Sequence, residues 1–227
     1  MSSRTLKALV FDVDGTLYRQ GRLRRKIAYR LARAVAQSPA EGLQALRAIR
    51  AYRRAQETLR SRKDPCIDVA QAQLHLAAQD TGMPLEQVRR WVVQWMEHEP
   101  MTLLRACVME DLHHTLGQAR KQGLRLGVFS DYPANDKLRA MGVLDLFDAV
   151  VTAQDPEVQR FKPHPRGIEV TMDRLGVSNW EAIYIGDRAD VDAEAADRAG
   201  VRCVIVRRSF SRDVNDGIAS FRAATQS

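Results

Sequence analysis

The stretch Val10-Phe11-Asp12-Val13-Asp14-Gly15-Thr16-Leu17 sets the terms for the rest of the chain. An apolar run over residues 6–11 ends abruptly in two acids separated by one residue. Leu9, Val10 and Phe11 read as a strand inside a parallel sheet, because such strands are continuously apolar rather than alternating. A carboxylate at the end of that run stands at the carboxyl edge of the sheet, where open α/β sheets build their sites. Asp12 and Asp14 share a face if the chain stays extended, but Gly15 signals an immediate turn. Two carboxylates this close repel unless a proton or a cation lies between them. A hard, oxygen-loving cation such as Mg2+ meets that need. The competing reading is a plain strand-to-turn junction, with Asp and Gly present for turn geometry, and the remainder of the chain decides between the two.

The 227 residues, 45% of them hydrophobic, allow one large domain or two small ones with ample core. No run of about 18 apolar residues is present, so no membrane span is expected, and the N-terminus lacks the apolar segment of a signal peptide. Cys66, Cys107 and Cys203 are widely spaced and odd in number, which suits neither a metal site nor a disulfide framework. They read as small buried hydrophobes, and the compartment expected is the cytoplasm. The net charge of +7 is unevenly spread. Arg22, Arg24, Arg25, Lys26, Arg30 and Arg33 crowd one region, and basic residues recur from Arg47 to Lys63. Such a block can meet nucleic acid, an anionic surface or an acidic substrate, or simply be a solvated helix face. No nucleic-acid motif accompanies it, so a nucleic-acid partner is not expected. The pattern leaves the oligomeric state open.

After Leu17 the periodicity is helical for about eighty residues. Leu23, Ile27, Leu31 and Val35 recur at helical spacing, and Pro39 breaks that helix. Further helices are expected over 41–59 and 67–78, and from Pro84 onward with Leu85, Val88, Val92 and Trp95 on one stripe. Asp64-Pro65 signals a turn between the second and third. Trp91 and Trp95 read as core between helices. Residues 20–100 thus form an inserted helical module, between residues 1–19 and 101–227. Strand and helix then alternate: helix 108–122, strand 124–129, a helix from Pro133 to Gly142, strand 149–151, a helix through Ile168 to Leu175, strand 182–185, helix 193–199, strand 203–206 and a short helix 213–221. His113 and His114 point in different directions on a helix, so they do not ligate together. The alternation implies right-handed crossovers and a parallel sheet.

Three of the strand ends carry reactive polar groups: Asp12 and Asp14, Ser130-Asp131, and Gly186-Asp187. Lys162 precedes a further helix, and Pro163 biases it toward an extended backbone in the loop. Taken as one site, Asp12 and Asp187 offer oxygens to Mg2+. Ser130 offers a hydroxyl near a helix N-terminus suited to phosphate, and Lys162 offers a point cation. Such a set suits phosphoryl transfer, where the protein positions and neutralises the transferred group and a carboxylate can serve as the covalent nucleophile.

The order Asp12-Val-Asp14-Gly-Thr-Leu, Ser130, Lys162-Pro, then Gly186-Asp187-Arg-Ala-Asp190-Val-Asp192 resembles the four motifs of the haloacid dehalogenase superfamily of hydrolases. The resemblance implies a Rossmann-like three-layer α/β/α core on a parallel sheet, with residues 20–100 as a helical cap between the first two motifs. It implies Asp12 as nucleophile forming an aspartyl-phosphate and Asp14 as acid and then base. It implies Lys162 stabilising charge, with Ser130, Asp131 and Thr16 at the substrate. The metal would be Mg2+ on Asp12, Asp187 and the backbone carbonyl of Asp14. Asp192 would support it, a role for which Asp190 competes. Dehalogenase members lack an acid at the position of Asp14, which favours a phosphatase acting on a small anionic phosphorylated metabolite. The alternatives are a phosphomutase of the same family or a binding protein using the basic cap. The acidic loop over 153–159 is a mild departure from the pattern.

Overall fold

The computed structural model describes residues 5–62, 68–207 and 209–226. Cys66, Lys63, Ile67 and the expected Asp64-Pro65 turn lie outside them. Two compact units result: residues 1–19 with 108–227, and residues 20–107. The second crossing therefore falls at Cys107/Val108 rather than at 100/101. Helix continues through that stretch, as Glu99–Leu104 and a short 3-10 turn Arg105–Cys107.

In the first unit five strands form one parallel sheet: β1 Ala8–Phe11, β2 Arg125–Ser130, β3 Ala149–Thr152, β4 Ala182–Gly186 and β5 Arg202–Ile205. Their spatial order is β3-β2-β1-β4-β5. The earliest strand is therefore the central one, paired with β2 through Phe11↔Val128 and with β4 through Phe11↔Ile185. Every residue of β1 and β4 is buried, as continuous apolar runs require when both faces are covered. On one face Val10, Phe129, Val151 and Tyr184 pack with Ile168 and Leu175 of a helix Arg166–Leu175 and with Ala195 and Ala196 of a short helix Glu194–Arg198. On the other, the Phe11 ring meets Phe147 edge-on at 6.1 Å and Phe210 at 6.0 Å. Phe210 opens a helix Phe210–Gln226, longer than the 213–221 expected. The result is a three-layer α/β/α core.

The helix expected from 108 begins at Leu112 and ends at Lys121. Val108 is drawn out of it by an antiparallel bridge to Tyr18, and the Met109 N–H donates to the Leu17 carbonyl at 3.2 Å. His113 and His114 are exposed. The helix expected from Pro133 runs over Asn135–Met141. It starts late because the chain first bends at residues 131–132, where the Tyr132 N–H reaches back to Ser130 Oγ at 3.3 Å. The helix expected at 193–199 starts earlier, as a π-helical turn Ala189–Ala193.

The second unit is all helical: Gln20–Gln37, Pro39–Ser61, Val69–Thr81, Leu85–Val92 and Glu99–Leu104, with a π-helical turn Val93–His98 between the last two. The uniform stripe through Trp95 concealed that turn. Trp91 and Trp95 pack with Ala45, Ile49, Ile27 and Leu31, as core. In the first helix Arg22, Arg24, Arg25 and Arg33 are exposed, while Arg30 pairs with Glu99 at 2.5 Å. No helix among the described residues is long and apolar enough to cross a membrane.

Candidate active site

The reactive groups gather at the carboxyl ends of the central strands. The Asp12 N–H still donates to Ile185 at 2.8 Å, so sheet pairing holds the first acid in place one residue past β1. The chain then turns, closed by the Leu17 N–H to the Val13 carbonyl at 3.1 Å. Gly15 makes this turn possible twice over. Its φ of +111° is costly for a side-chain-bearing residue, and a Cβ there would lie 2.1 Å from Asp187 Oδ2. Thr16 Oγ1 donates to Asp12 Oδ2 at 3.1 Å, so Thr16 orients the first acid.

Lys162 arrives on the loop before the helix Arg166–Leu175 and is 3% exposed. Its ammonium contacts Asp12 Oδ1, Asp192 Oδ1 at 2.7 Å and the Tyr184 hydroxyl at 3.3 Å. The Tyr184 hydroxyl in turn donates to Asp192 Oδ1 at 3.2 Å. Asp131 Oδ1 accepts the Lys162 N–H at 3.0 Å, which ties the lysine loop to the end of β2. Ser130, beside it, is fully buried. The acidic loop at 153–159 is turned to the helix: Asp155 and Glu157 pair with Arg174 at 3.1 and 2.6 Å.

Of the two acids that spacing left open, Asp192 joins the cluster. Its Oδ2 accepts from the N–H groups of Asp187 at 3.1 Å and Arg188 at 3.0 Å. It approaches the strand so closely that a Cβ on Gly186 would fall 2.5 Å from its own. Asp190 is instead exposed and pairs with Arg188.

Asp12, Asp187 and Asp192 each offer a carboxylate oxygen, all within 4.8 Å of one another. Their electrostatics bear on whether a cation fits. The Lys162 charge is shared between Asp12 and Asp192. Asp192 also has two backbone donors, and although burial works against its charge, Lys162 and those donors hold its pKa below the usual range. Among the described residues Asp12 has no such backbone donors. Burial pushes its carboxyl up to about 8 against the pull of Lys162, with Asp192 and Asp14 adding to the rise. Burial likewise pushes Asp187 up to about 6, helped by Asp192. Lys162 itself stays charged: despite burial, Asp12 and its other partners hold its pKa well above the ordinary value. A buried cluster with more carboxylates than cations, its oxygens converging, is short of positive charge. A hard divalent cation fits that donor set.

Asp14 faces different partners. Oδ1 accepts from the Tyr18 hydroxyl at 2.6 Å, and Lys137 Nζ bridges Oδ1 and Oδ2 at 2.6 and 2.7 Å. Burial raises the Asp14 pKa, but Lys137 and Tyr18 outweigh it and the net shift is downward. The fold thus splits two acids two residues apart into one short of positive charge and one well supplied.

Residues 6–200 match the family described as haloacid dehalogenase-like hydrolase. The chain belongs to that family. This hydrolase is 29% identical over 216 residues to a glyceraldehyde 3-phosphate phosphatase of Methanopyrus kandleri, covering 92% of this chain and 87% of that one. Among solved structures, the HAD phosphatase from Thermococcus onnurineus covers 89% of the hydrolase at 26% identity, and 87% of that chain, with a TM-score of 0.55. A 2-haloacid dehalogenase from Pseudomonas syringae shares the fold at 19% identity, with a TM-score of 0.65 over 96% of this chain and all of that one.

Sequence reasoning missed three side chains of the site. Tyr184 looked like one more apolar strand residue, although a hydroxyl in an otherwise aliphatic buried strand demands a partner. Tyr18 falls one residue past the Asp12–Leu17 motif, outside the residues that carry the resemblance. Lys137 looked like any lysine on a helix, and no local signal marks it.

Proposed function

We propose that this hydrolase is a Mg2+-dependent phosphatase that cleaves a small phosphate monoester through an aspartyl-phosphate intermediate. The division of labour between Asp12 and Asp14 carries the reading. Asp12, short of positive charge among converging carboxylate oxygens, suits a nucleophile whose charge a bound cation would complete, while Asp14 has the separate partners an acid/base needs. The 29% identical relative, named as a phosphatase of a three-carbon phosphate ester, supports the same class. The second acid, Asp14, favours phosphate over halide chemistry, which needs no leaving-group protonation.

In this reading Asp12 attacks phosphorus while the ester oxygen leaves with a proton from Asp14. Asp14 then takes a proton from water, which attacks the aspartyl-phosphate and frees Asp12 and phosphate. Ser130 donates to a phosphoryl oxygen. Lys162 steadies Asp12 and offsets charge on the transferred group. Mg2+ would be held by Asp12, Asp187 and the Asp14 carbonyl, with Asp192 in support, and would neutralise charge between nucleophile and phosphate. Thr16 keeps the Asp12 carboxylate aimed. Asp131 acts by fixing the Lys162 loop. The exposed arginines of the helical unit suit an anionic partner.

The test is release of inorganic phosphate from p-nitrophenyl phosphate and from a metabolite panel that includes glyceraldehyde 3-phosphate, with and without Mg2+. Turnover should require Mg2+ and vanish in Asp12→Asn while the circular dichroism spectrum is unchanged. Activity retained in Asp12→Asn removes Asp12 as nucleophile. Phosphate moved to a second hydroxyl of the product, rather than released, marks a mutase.

A further inference from the structure

We propose that Lys137, with Tyr18, is the positioning pair for the acid/base, and that the pair selects Oδ2 of Asp14 as the oxygen that exchanges protons with substrate and water. The proposal rests on the phosphatase reading and goes beyond it by naming residues and an atom.

The geometry points to a clamp. Lys137 lies in the helix Asn135–Met141, directly after the bend that follows Ser130. Its side chain is 12% exposed and that of Asp14 20% exposed, so the pair is largely removed from solvent. A single ammonium spans both carboxylate oxygens at near-equal distance, 2.6 and 2.7 Å. It also sits 5.9 Å from the centre of the Tyr132 ring, a second favourable contact for a cation. The Tyr18 hydroxyl, 2.6 Å from Oδ1, takes a second acceptor position on that oxygen alone. Oδ1 thus accepts two bonds and Oδ2 one. Among the described residues Lys137 is the hydrogen-bond donor to Oδ2, which keeps one acceptor position more than Oδ1. A carboxylate held by two donors loses its rotation about χ2, and the remaining lone pair points one way. Proton transfer depends steeply on such placement.

The step balances simply. The bond from phosphorus to the ester oxygen breaks as the bond from Asp12 to phosphorus forms. The departing oxygen takes the proton from Oδ2, and the charge left on Asp14 falls on the Lys137 ammonium. In the second half-reaction Oδ2 takes the proton of the attacking water. Lys137 keeps its own protons throughout and acts only through the Asp14 carboxylate.

A positioning role makes a claim that mere stabilisation does not. Removing the clamp should hurt most where the leaving group most needs a proton. Phenyl phosphate releases a phenol about as basic as a tyrosine side chain, pKa about 10. p-Nitrophenyl phosphate releases a far weaker base that departs unaided. The expected result is that Lys137→Met lowers kcat on phenyl phosphate at least about tenfold more than on p-nitrophenyl phosphate, within the range of acid catalysis. Lys137→Arg should recover part of that difference, and Tyr18→Phe should show a smaller loss with the same preference. The rise in melting temperature caused by Mg2+ should match wild type in the Arg and Phe variants, since Lys137 and Tyr18 bond to the Asp14 carboxylate and not to the carbonyl assigned to the metal. Equal losses on both esters, or a lost Mg2+ response in the Arg and Phe variants, overturn the proposal while leaving the phosphatase reading intact. A wild-type protein that hydrolyses neither ester overturns the reading, and the proposal with it.

Discussion

The shortage of positive charge around Asp12 predicts how the protein responds to Mg2+ as pH changes. Asp12 sits at about 8 in the folded chain against an ordinary carboxylate value of 3.8. Between those limits the folded protein holds a proton that the unfolded chain has released. Stability of the metal-free protein therefore falls as pH rises through this window. A cation bound at Asp12 displaces that proton, so its affinity should rise up to about tenfold per pH unit below pH 8. Each such step is worth about 1.4 kcal/mol of stabilisation. Asp187, at about 6, is ionised through most of the range and adds little above pH 6. From pH 6 to pH 8 the gain from Mg2+ should grow by about 2–3 kcal/mol, or roughly 5–10 °C in a chain of this size. The assay is thermal unfolding with and without 10 mM Mg2+, an arbitrary concentration of about that order for a weakly held hard cation. Asp12→Asn, which cannot hold that proton, should flatten the dependence. A Mg2+ shift that is constant, or that shrinks as pH rises, refutes the account of the cluster.

Two further outcomes separate neighbouring residues. Asp192→Asn leaves Lys162 with one carboxylate fewer in a buried site and should destabilise by about 3–5 kcal/mol, read from denaturant unfolding, whereas Asp190→Asn, at the surface, should fall within about 0.5 kcal/mol of wild type. Gly15→Ala should abolish the Mg2+-induced thermal shift, because a Cβ would displace Asp187, and should add about 1–3 kcal/mol of backbone strain; unchanged Mg2+ binding in that variant would deny the close approach.

The sheet was legible because buried parallel strands are continuous apolar runs, and Leu9-Val10-Phe11 and Ile183-Tyr184-Ile185 are such runs. The gathering of Asp12, Lys162 and Asp187 was legible because strand ends in this topology converge on one edge. Asp192 and Asp190 were not separable, because a π-helical turn carries them and shifts each direction away from ordinary helix geometry. Lys137 was invisible for a different reason. Its partner lies far back in the chain, and only the pairing of β2 with β1, which carries the two segments that follow them to one edge, brings the two together. Boundaries at Val108 and Pro133 moved because long-range hydrogen bonds, which spacing does not encode, overrode local helical preference.

The bridge between Tyr18 and Val108 has an architectural consequence. Residue 19 leaves the sheet-bearing unit and residue 108 returns to it at neighbouring points, laced together by the bond from Met109 to Leu17. Everything between them hangs from a closed stem, so the sheet is indifferent to how many residues the excursion contains. A brief linker could replace residues 20–107 without stretching a strand, and a foreign helical module could be spliced in at the same seam. The seam lies one residue from Tyr18, the donor to Asp14.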